Sequence, residues 1–350
     1  MEWYMQRLGL LVLALPLLIP IPCLTQDTPQ VLYSVPLPGE LTYGTEYPHW
    51  QWEPGMVRCG SGGDITVVRT SHHELLKVGP NGAVVLRIEV SGLAGLGDAR
   101  VNSFAPGPNG ETYVLASHVT VIELKRADPT KPPRRTEKTW DLRPTLLRFD
   151  ANGTLIDGKR LGRAYQVPWF DVFDSGDFIV LDGAWGKNPT AWIYSADGIP
   201  MKRIDLTTSA LGGHSSDGPS EVFVFASGDK AFLFAQWYEP TDKVRAAVAT
   251  VSRDGEVVSS EVVKLPKGYS LRDPRRQGEH LFGSLQIQAD GDPKLGEPYV
   301  EVDPQSGDLR KYETEPNRNF PACDTPEGMS FFNLASQTLE VIQLKAQSNP

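Results

Sequence analysis

Six histidines and eight tryptophans are the side chains of this 350-residue sequence best suited to acid–base work, metal ligation or stacking on a ligand. None falls in a catalytic spacing. His72 and His73 are adjacent, so on a strand they would point to opposite faces and could not chelate one ion together. Zinc patterns such as H-E-x-x-H or C-x-x-C, the G-x-S-x-G elbow, the P-loop and the dinucleotide fingerprint are all absent. What the sequence offers instead is aromatic and imidazole side chains in short polar stretches between apolar runs: His49, Trp50 and Trp52, then His72 and His73, His118 and Trp140, Trp185, His214, and Trp237 with Tyr238. Exposed rings beside polar groups, held on loops by a rigid scaffold, are recognition chemistry. They suit a protein, peptide or carbohydrate ligand, provided the fold gathers them on one face.

Two interleaved series of glycines define the elements that would have to do this. The first series is Gly63, Gly110, Gly176, Gly228, Gly278 and Gly328, at intervals of 47, 66, 52, 50 and 50 residues. An apolar run follows each, such as DITVVR, ETYVLA, DFIVLD or DKAFLFA. The second is Gly82, Gly153, Gly198, Gly255 and Gly307, set in PNGAV, ANGTL, ADGIP, RDGEV and QSGDL, where Asn, Asp, Ser and Gly supply hairpin-turn chemistry. Each turn ends one strand and starts the next, so the pattern predicts an all-β fold, a six-bladed β-propeller with four strands per blade, at the repeat length expected of one. The long second interval contains 127–144, rich in proline and charge, which reads as an insertion within the second blade.

The last unit has no second-series glycine and lacks one strand, while the β-rich run 30–37 (QVLYSVPL) has no partner near it in sequence. An N-terminal strand completing the last blade would close the ring and remove exposed sheet edges. In this arrangement the two glycine series lie at one end of the propeller. The connections between blades and between second and third strands lie at the other, where five of the six histidines and five of the eight tryptophans fall. The candidate ligand residues are therefore His49, Trp50, Trp52, His72, His73, Trp140, Trp185, His214, Trp237 and Tyr238.

The chain begins with one basic residue in its first seven, then an apolar stretch, 8–21, broken by Pro16 and Pro20. That is a secretory signal, too short and too proline-broken to span a bilayer. Cleavage after Thr25 would leave 26–350 as a single domain in the periplasm or outside the cell. A lipid anchor on Cys23 is the lesser alternative, because Pro22 stands where a lipobox needs a small residue. Export leaves Cys59 and Cys323 in a compartment where disulfides persist. Each precedes a first-series glycine, on the innermost strand of blades one and six, so a bridge between them would staple the ring closure. A formal net charge of −9 disfavours nucleic acid and anionic membrane as partners, and no internal segment is long and apolar enough to span. The chain reads as a monomer. The pairs Arg134–Arg135 and Arg275–Arg276 read as solvated loop charges, Asn152-Gly153-Thr154 as a hairpin turn that also matches a glycosylation sequon, and 289–297 as a turn.

The alternation of apolar run, polar loop, apolar run and Asp/Asn-Gly turn resembles the NHL-like and TolB-like six-bladed propellers across the mature chain. One branch of such folds, the senescence-marker and gluconolactonase branch, holds a divalent cation in the central channel on inner-strand Glu, Asn and Asp. The resemblance therefore implies an alternative to a cofactor-free binding module: a metal-dependent hydrolase or lactonase with Ca²⁺ on Glu46, Asn102, Asp171 and Asp324, with Asp174 close by. The local signatures of that branch are missing around these residues.

Overall fold

The computed structural model describes residues 30–38, 57–59, 64–69, 73–122, 137–140, 143–163, 169–182, 189–206, 219–238, 244–277, 279–287, 299–312, 320–324, 328–333, 336 and 338–343. They form six antiparallel sheets. The first strand, β1 (Gln30–Pro36), precedes blade one, which is β2 (Val57–Cys59), β3 (Ile65–Val68), β4 (Glu74–Val78) and β5 (Val84–Glu89). Blade two is β6 (Ala99–Pro106), β7 (Thr112–Ile122), the extra β8 (Glu137–Trp140), β9 (Thr145–Phe149) and β10 (Leu155–Arg160). Blade three is β11 (Trp169–Val172), β12 (Phe178–Asp182), β13 (Thr190–Tyr194) and β14 (Pro200–Asp205). Blade four follows as β15 (Glu221–Ser227), β16 (Lys230–Tyr238), β17 (Val244–Ser252) and β18 (Val257–Val263). Blade five is β19 (Tyr269–Gln277), β20 (His280–Ile287), β21 (Tyr299–Val302) and β22 (Leu309–Tyr312). Blade six adds β23 (Phe320–Asp324), β24 (Met329–Asn333) and β25 (Thr338–Gln343).

The ring closes as the sequence predicts. β1 pairs antiparallel with β25, from Gln30 opposite Gln343 to Pro36 opposite Thr338, and becomes the outermost strand of blade six. β2 packs against β23, so the innermost strands of blades one and six are neighbours. Residues 137–140, within the proline-rich stretch, form β8, which pairs with Val119–Ile122 and lengthens the second blade at the loop end.

Where they are described, the two glycine series lie in the turns between first and second strands and between third and fourth strands; Gly63 and Gly278 lie outside the described residues. Those of the second series hold positive φ throughout, from +69° at Gly307 to +80° at Gly82 and Gly255. Gly307 is needed twice over, because a Cβ there would also lie 2.0 Å from the Val262 carbonyl oxygen. Side-chain burial follows the layering. The second strand of blade three, FIVLD, is buried on both faces, whereas outermost β14, PMKRID, is exposed at all but one position. The apolar core lies in the seams between blades. Phe104, Val114 and Phe149 of blade two meet Leu75 and Ile88 of blade one. Phe282, Tyr299 and Tyr312 of blade five meet Met329 and Phe331 of blade six. The largest cluster runs continuously through blades three, four and five. Among the described residues no helix is long and apolar enough to cross a membrane.

Candidate ligand site

The innermost strands run from the loop end of the channel to the glycine-turn end, and they place different chemistry at each. At the glycine-turn end the last residues of β2, β6, β11, β15 and β19 surround a cavity of about 530 Å³. This size suits a small ligand. Arg58, Asp171, Asp174 and Arg276 supply its charges, and Pro106, Pro108, Val172, Phe173 and Phe225 its apolar wall.

Asp171, on β11, is buried, and both of its oxygens are held by backbone. Oδ1 accepts from the Val172 N–H at 3.0 Å and Oδ2 from the Ala226 N–H at 2.9 Å, which ties blade three to blade four. Arg58, on β2, reaches across the channel from blade one. Its Nη2 stops 3.7 Å from Asp171 Oδ1, within ion-pair range but beyond a hydrogen bond. Its Nε is buried and, among the described residues, has no hydrogen-bond partner. A guanidinium carries five N–H donors in a planar fork that matches a carboxylate or phosphate, and a buried donor left unsatisfied costs free energy. Arg276, on β19, donates from Nη1 to the Ala226 carbonyl and lies over the Phe232 ring at 5.7 Å. Asp174 sits just past the end of β11, in the turn before Gly176. It is exposed, its N–H donates to the Gly228 carbonyl, and among the described residues its carboxylate has no partner.

The Arg275–Arg276 pair corrects a sequence expectation. Both residues lie on an innermost strand instead of a solvated loop; Arg275 is only 2 % exposed and Arg276 lines the channel. Arg58 carries no motif, and sequence reasoning passed over it. Its position held the signal: Arg58 stands five residues before Gly63, as Asp171 stands five before Gly176.

The loop end of the channel is built differently. Glu221, the first residue of β15, is buried beneath Gln236 and Tyr238 of β16. Gln236 Nε2 donates to Glu221 Oε2 at 3.1 Å and to the Leu271 carbonyl at 2.7 Å, while its Oε1 accepts from the Leu271 N–H at 2.8 Å. The Tyr238 hydroxyl donates to Glu221 Oε2 at 2.8 Å, and Arg272 Nη1 lies 3.8 Å from the other oxygen. Burial, and then the Glu221 charge, push the Tyr238 phenol far above its ordinary range. Of these bonds the two to Leu271 cross the seam between blades four and five.

The predicted ligand residues fall into three groups. His49, Trp50, Trp52, His72, Trp185 and His214 lie outside the described residues, as does the side chain of Trp140 on β8. His73 donates from Nδ1 to the Ala99 carbonyl at 2.5 Å, 3.5 Å from Asp98, and His118 likewise donates to the Leu96 carbonyl. Trp237 packs on the apolar core, and Tyr238 is committed to Glu221. Of the proposed Ca²⁺ ligands, Glu46 and the Asp324 side chain lie outside the described residues. Asn102 donates its amide to Ser117 Oγ at 2.6 Å, and Asp171 is held as above. Among the described residues no three His, Cys, Asp or Glu side chains gather as metal ligands would. Cys59 is disulfide-bonded and lies at the channel mouth, 3.2 Å from Ser330 Oγ. Cys323 is on β23, the strand beside it.

Two further cavities lie at the glycine-turn end. One of about 170 Å³ lies between blades one and two and shares Arg58, Cys59 and Pro106 with the channel. The other, about 560 Å³, lies between blades four and five. There Nδ1 of His280, exposed to solvent, lies 2.6 Å from Glu301 Oε1, and the Tyr312 hydroxyl donates to Oε2 of the same carboxylate. Burial, then Glu301, push the Tyr312 phenol up to about 12.

No family model matches the chain, and no curated protein matches it in sequence. Among solved structures it is similar to a protein of unknown function from Bacteroides caccae, with TM-score 0.46 and 10 % identity over 80 % of this chain and 89 % of that one. It is also similar to a variant of the apocarotenoid oxygenase of Synechocystis, with TM-score 0.42 and 13 % identity over 82 % of this chain and 73 % of that one. A third similar structure is streptogramin B lyase, with TM-score 0.41 and 10 % identity over 87 % of this chain and 97 % of that one. The likeness is one of architecture: this chain is a six-bladed β-propeller, a fold that serves interaction modules and enzymes alike.

Proposed function

We propose that this chain is an exported binding module whose ligand enters the channel from the glycine-turn end and places an acidic group on Arg58. The observation that carries this reading is the Arg58 guanidinium, which lines a cavity of about 530 Å³ and whose Nε, among the described residues, has no hydrogen-bond partner. Asp171 does not satisfy it, because the pair is 3.7 Å apart and the carboxylate already accepts two backbone N–H groups. The Arg58 side chain keeps 20 % of its surface exposed, and a ligand carboxylate that reaches the guanidinium there makes the charge-assisted contact that makes such pairs strong. The disulfide on Cys59 supports the export reading, since such bonds persist in oxidising compartments, and so does the predicted signal at 1–25.

The test is calorimetric titration of the chain from Gln26 with small mono- and dicarboxylates, on the native protein, on Arg58→Met and on the combined Trp50, Trp52, Trp185 and Trp237 to Ala variant. Binding that is lost in Arg58→Met and kept in the tryptophan variant is the expected result. The reverse pattern would return the ligand to the loop end. The metal-dependent hydrolase with a cation on Glu46, Asn102, Asp171 and Asp324 is a second class, and elemental analysis of the same sample tests it.

A further inference from the structure

We infer that the ligand of this mouth is a zwitterion of the amino-acid or short-peptide type, with its carboxylate on Arg58 and its ammonium on Asp174. This inference rests on the Arg58 anchor proposed above and adds the second charge. The four charged side chains lining the cavity are two arginines and two aspartates, so their formal charges cancel. A bare anion on Arg58 would sit close to the Asp171 carboxylate, which lies 3.7 Å from the same guanidinium and is fixed by two backbone donors. Like charges that close repel, and a chain of net charge −9 adds an unfavourable field for any anion approaching from solution. A ligand with its own positive group removes both penalties, provided the protein has a carboxylate to receive it.

Asp174 is that carboxylate. Asp171 is buried and committed, whereas Asp174 is exposed at the rim and, among the described residues, has no side-chain partner. Its backbone is fixed by the bond from its N–H to Gly228 O at 3.0 Å, so the carboxylate is presented from an anchored turn. Among the described residues the mouth thus holds a cation whose Nε lacks a partner and an anion at the rim that lacks one, and Pro106, Pro108, Val172, Phe173 and Phe225 line the same cavity. A free α-amino acid or short peptide carries that same pattern.

Thermal melts and calorimetry of the disulfide-intact chain from Gln26, with pooled free amino acids and with pooled dipeptides in free, N-acetylated and C-amidated forms, decide the matter. The free forms should raise the melting temperature and bind about tenfold more tightly than either blocked form, as loss of one charge-assisted contact predicts. Asp174→Asn should bring the free and N-acetylated dipeptides to equal affinity, and Arg58→Lys should weaken every carboxylate-bearing form. If acetylated and free dipeptides bind equally to the native chain and Asp174→Asn changes nothing, the zwitterion is wrong and the Arg58 anchor stands. If no carboxylate-bearing form binds, or if Arg58→Met binds them undiminished, the anchor itself falls.

Discussion

The two ends of the channel place charged side chains on the same set of innermost strands, and they use them in opposite ways. At the loop end Glu221, Gln236 and Tyr238 close on one another and on the Leu271 backbone, which fastens blade four to blade five. At the glycine-turn end Arg58 and Asp171 face each other at 3.7 Å without a hydrogen bond, and Arg58 lines the cavity with a buried Nε that has no partner among the described residues. A satisfied buried network stabilises and rigidifies, while an incomplete one destabilises the empty protein. The difference separates a structural clamp from a recognition site on physical grounds, before any ligand is known. It also sets what should happen when each end is altered.

The largest stability effect belongs to the clamp. Gln236→Ala removes the partner of a buried N–H and a buried C=O of Leu271 and one partner of Glu221, with Gln236 itself 0 % exposed. Unsatisfied buried groups cost about 1–3 kcal/mol each, so a loss of roughly 3–5 kcal/mol in chemical denaturation is expected. Binding at the far mouth should persist at temperatures where the variant is folded. A loss under about 1 kcal/mol would show that water enters and replaces the amide.

The open end is held by a covalent link instead. Cys59 is disulfide-bonded, and we propose Cys323, on the adjoining β23, as its partner. Peptide mapping without reductant should recover the Cys59–Cys323 pair. Cys323→Ser should lower stability by about 2–4 kcal/mol, the usual range for a bridge that closes a long loop. Linkage of Cys59 to Cys23 instead would remove the staple from the ring closure.

A pH titration distinguishes the ends in another way. Tyr238 at the clamp and Tyr312 at the seam of blades five and six are both raised above the ordinary 10.0, first by burial and then by a carboxylate, and Tyr312 reaches about 12. Folding therefore favours the neutral phenols. Their contribution is fully present below pH 10 and is lost as pH rises through the folded values, with the loss for Tyr312 falling between pH 10 and about 12. Phenolate absorbance should show Tyr238 and Tyr312, with Tyr113, which burial also raises, ionising after the exposed tyrosines and together with unfolding. Ionisation of Tyr238 near pH 10 with the fold intact would mean that the loop end is open to water.

The contrast between the ends also explains what the sequence could and could not disclose. The glycine turns were legible because backbone at positive φ leaves few alternatives to glycine, and Gly82, Gly153, Gly198, Gly255 and Gly307 all adopt it. β1 was legible as the missing strand because an unpartnered β-rich run and an incomplete last unit imply each other. The clamp was not, because Gln236 meets Leu271 only after two blades pack, 35 residues apart in the chain. Arg58 and Arg276 were hidden by their type, since arginine beside polar residues reads as surface charge. Their distance to the next first-series glycine placed them on innermost strands, as it placed Cys59 and Cys323, while Asp171 was named through the resemblance to cation-binding propellers. Position within the blade is thus the better guide to channel residues, and residue type the better guide to turns.

The smallest stability effect is expected at Arg58. Arg58→Met removes a mostly buried cation whose Nε has no partner among the described residues and whose ion-pair neighbour Asp171 is held by two other donors. Replacing a poorly satisfied buried charge by an apolar side chain of similar length is often neutral or stabilising, so a change within about 1 kcal/mol is expected in the empty protein. The same substitution should abolish binding of acidic ligands, and that separation of stability from binding is what marks a site as opposed to a clamp. A loss of several kcal/mol would mean that Arg58 and Asp171 brace blades one and three across the channel, and the two ends would then differ in degree but not in kind.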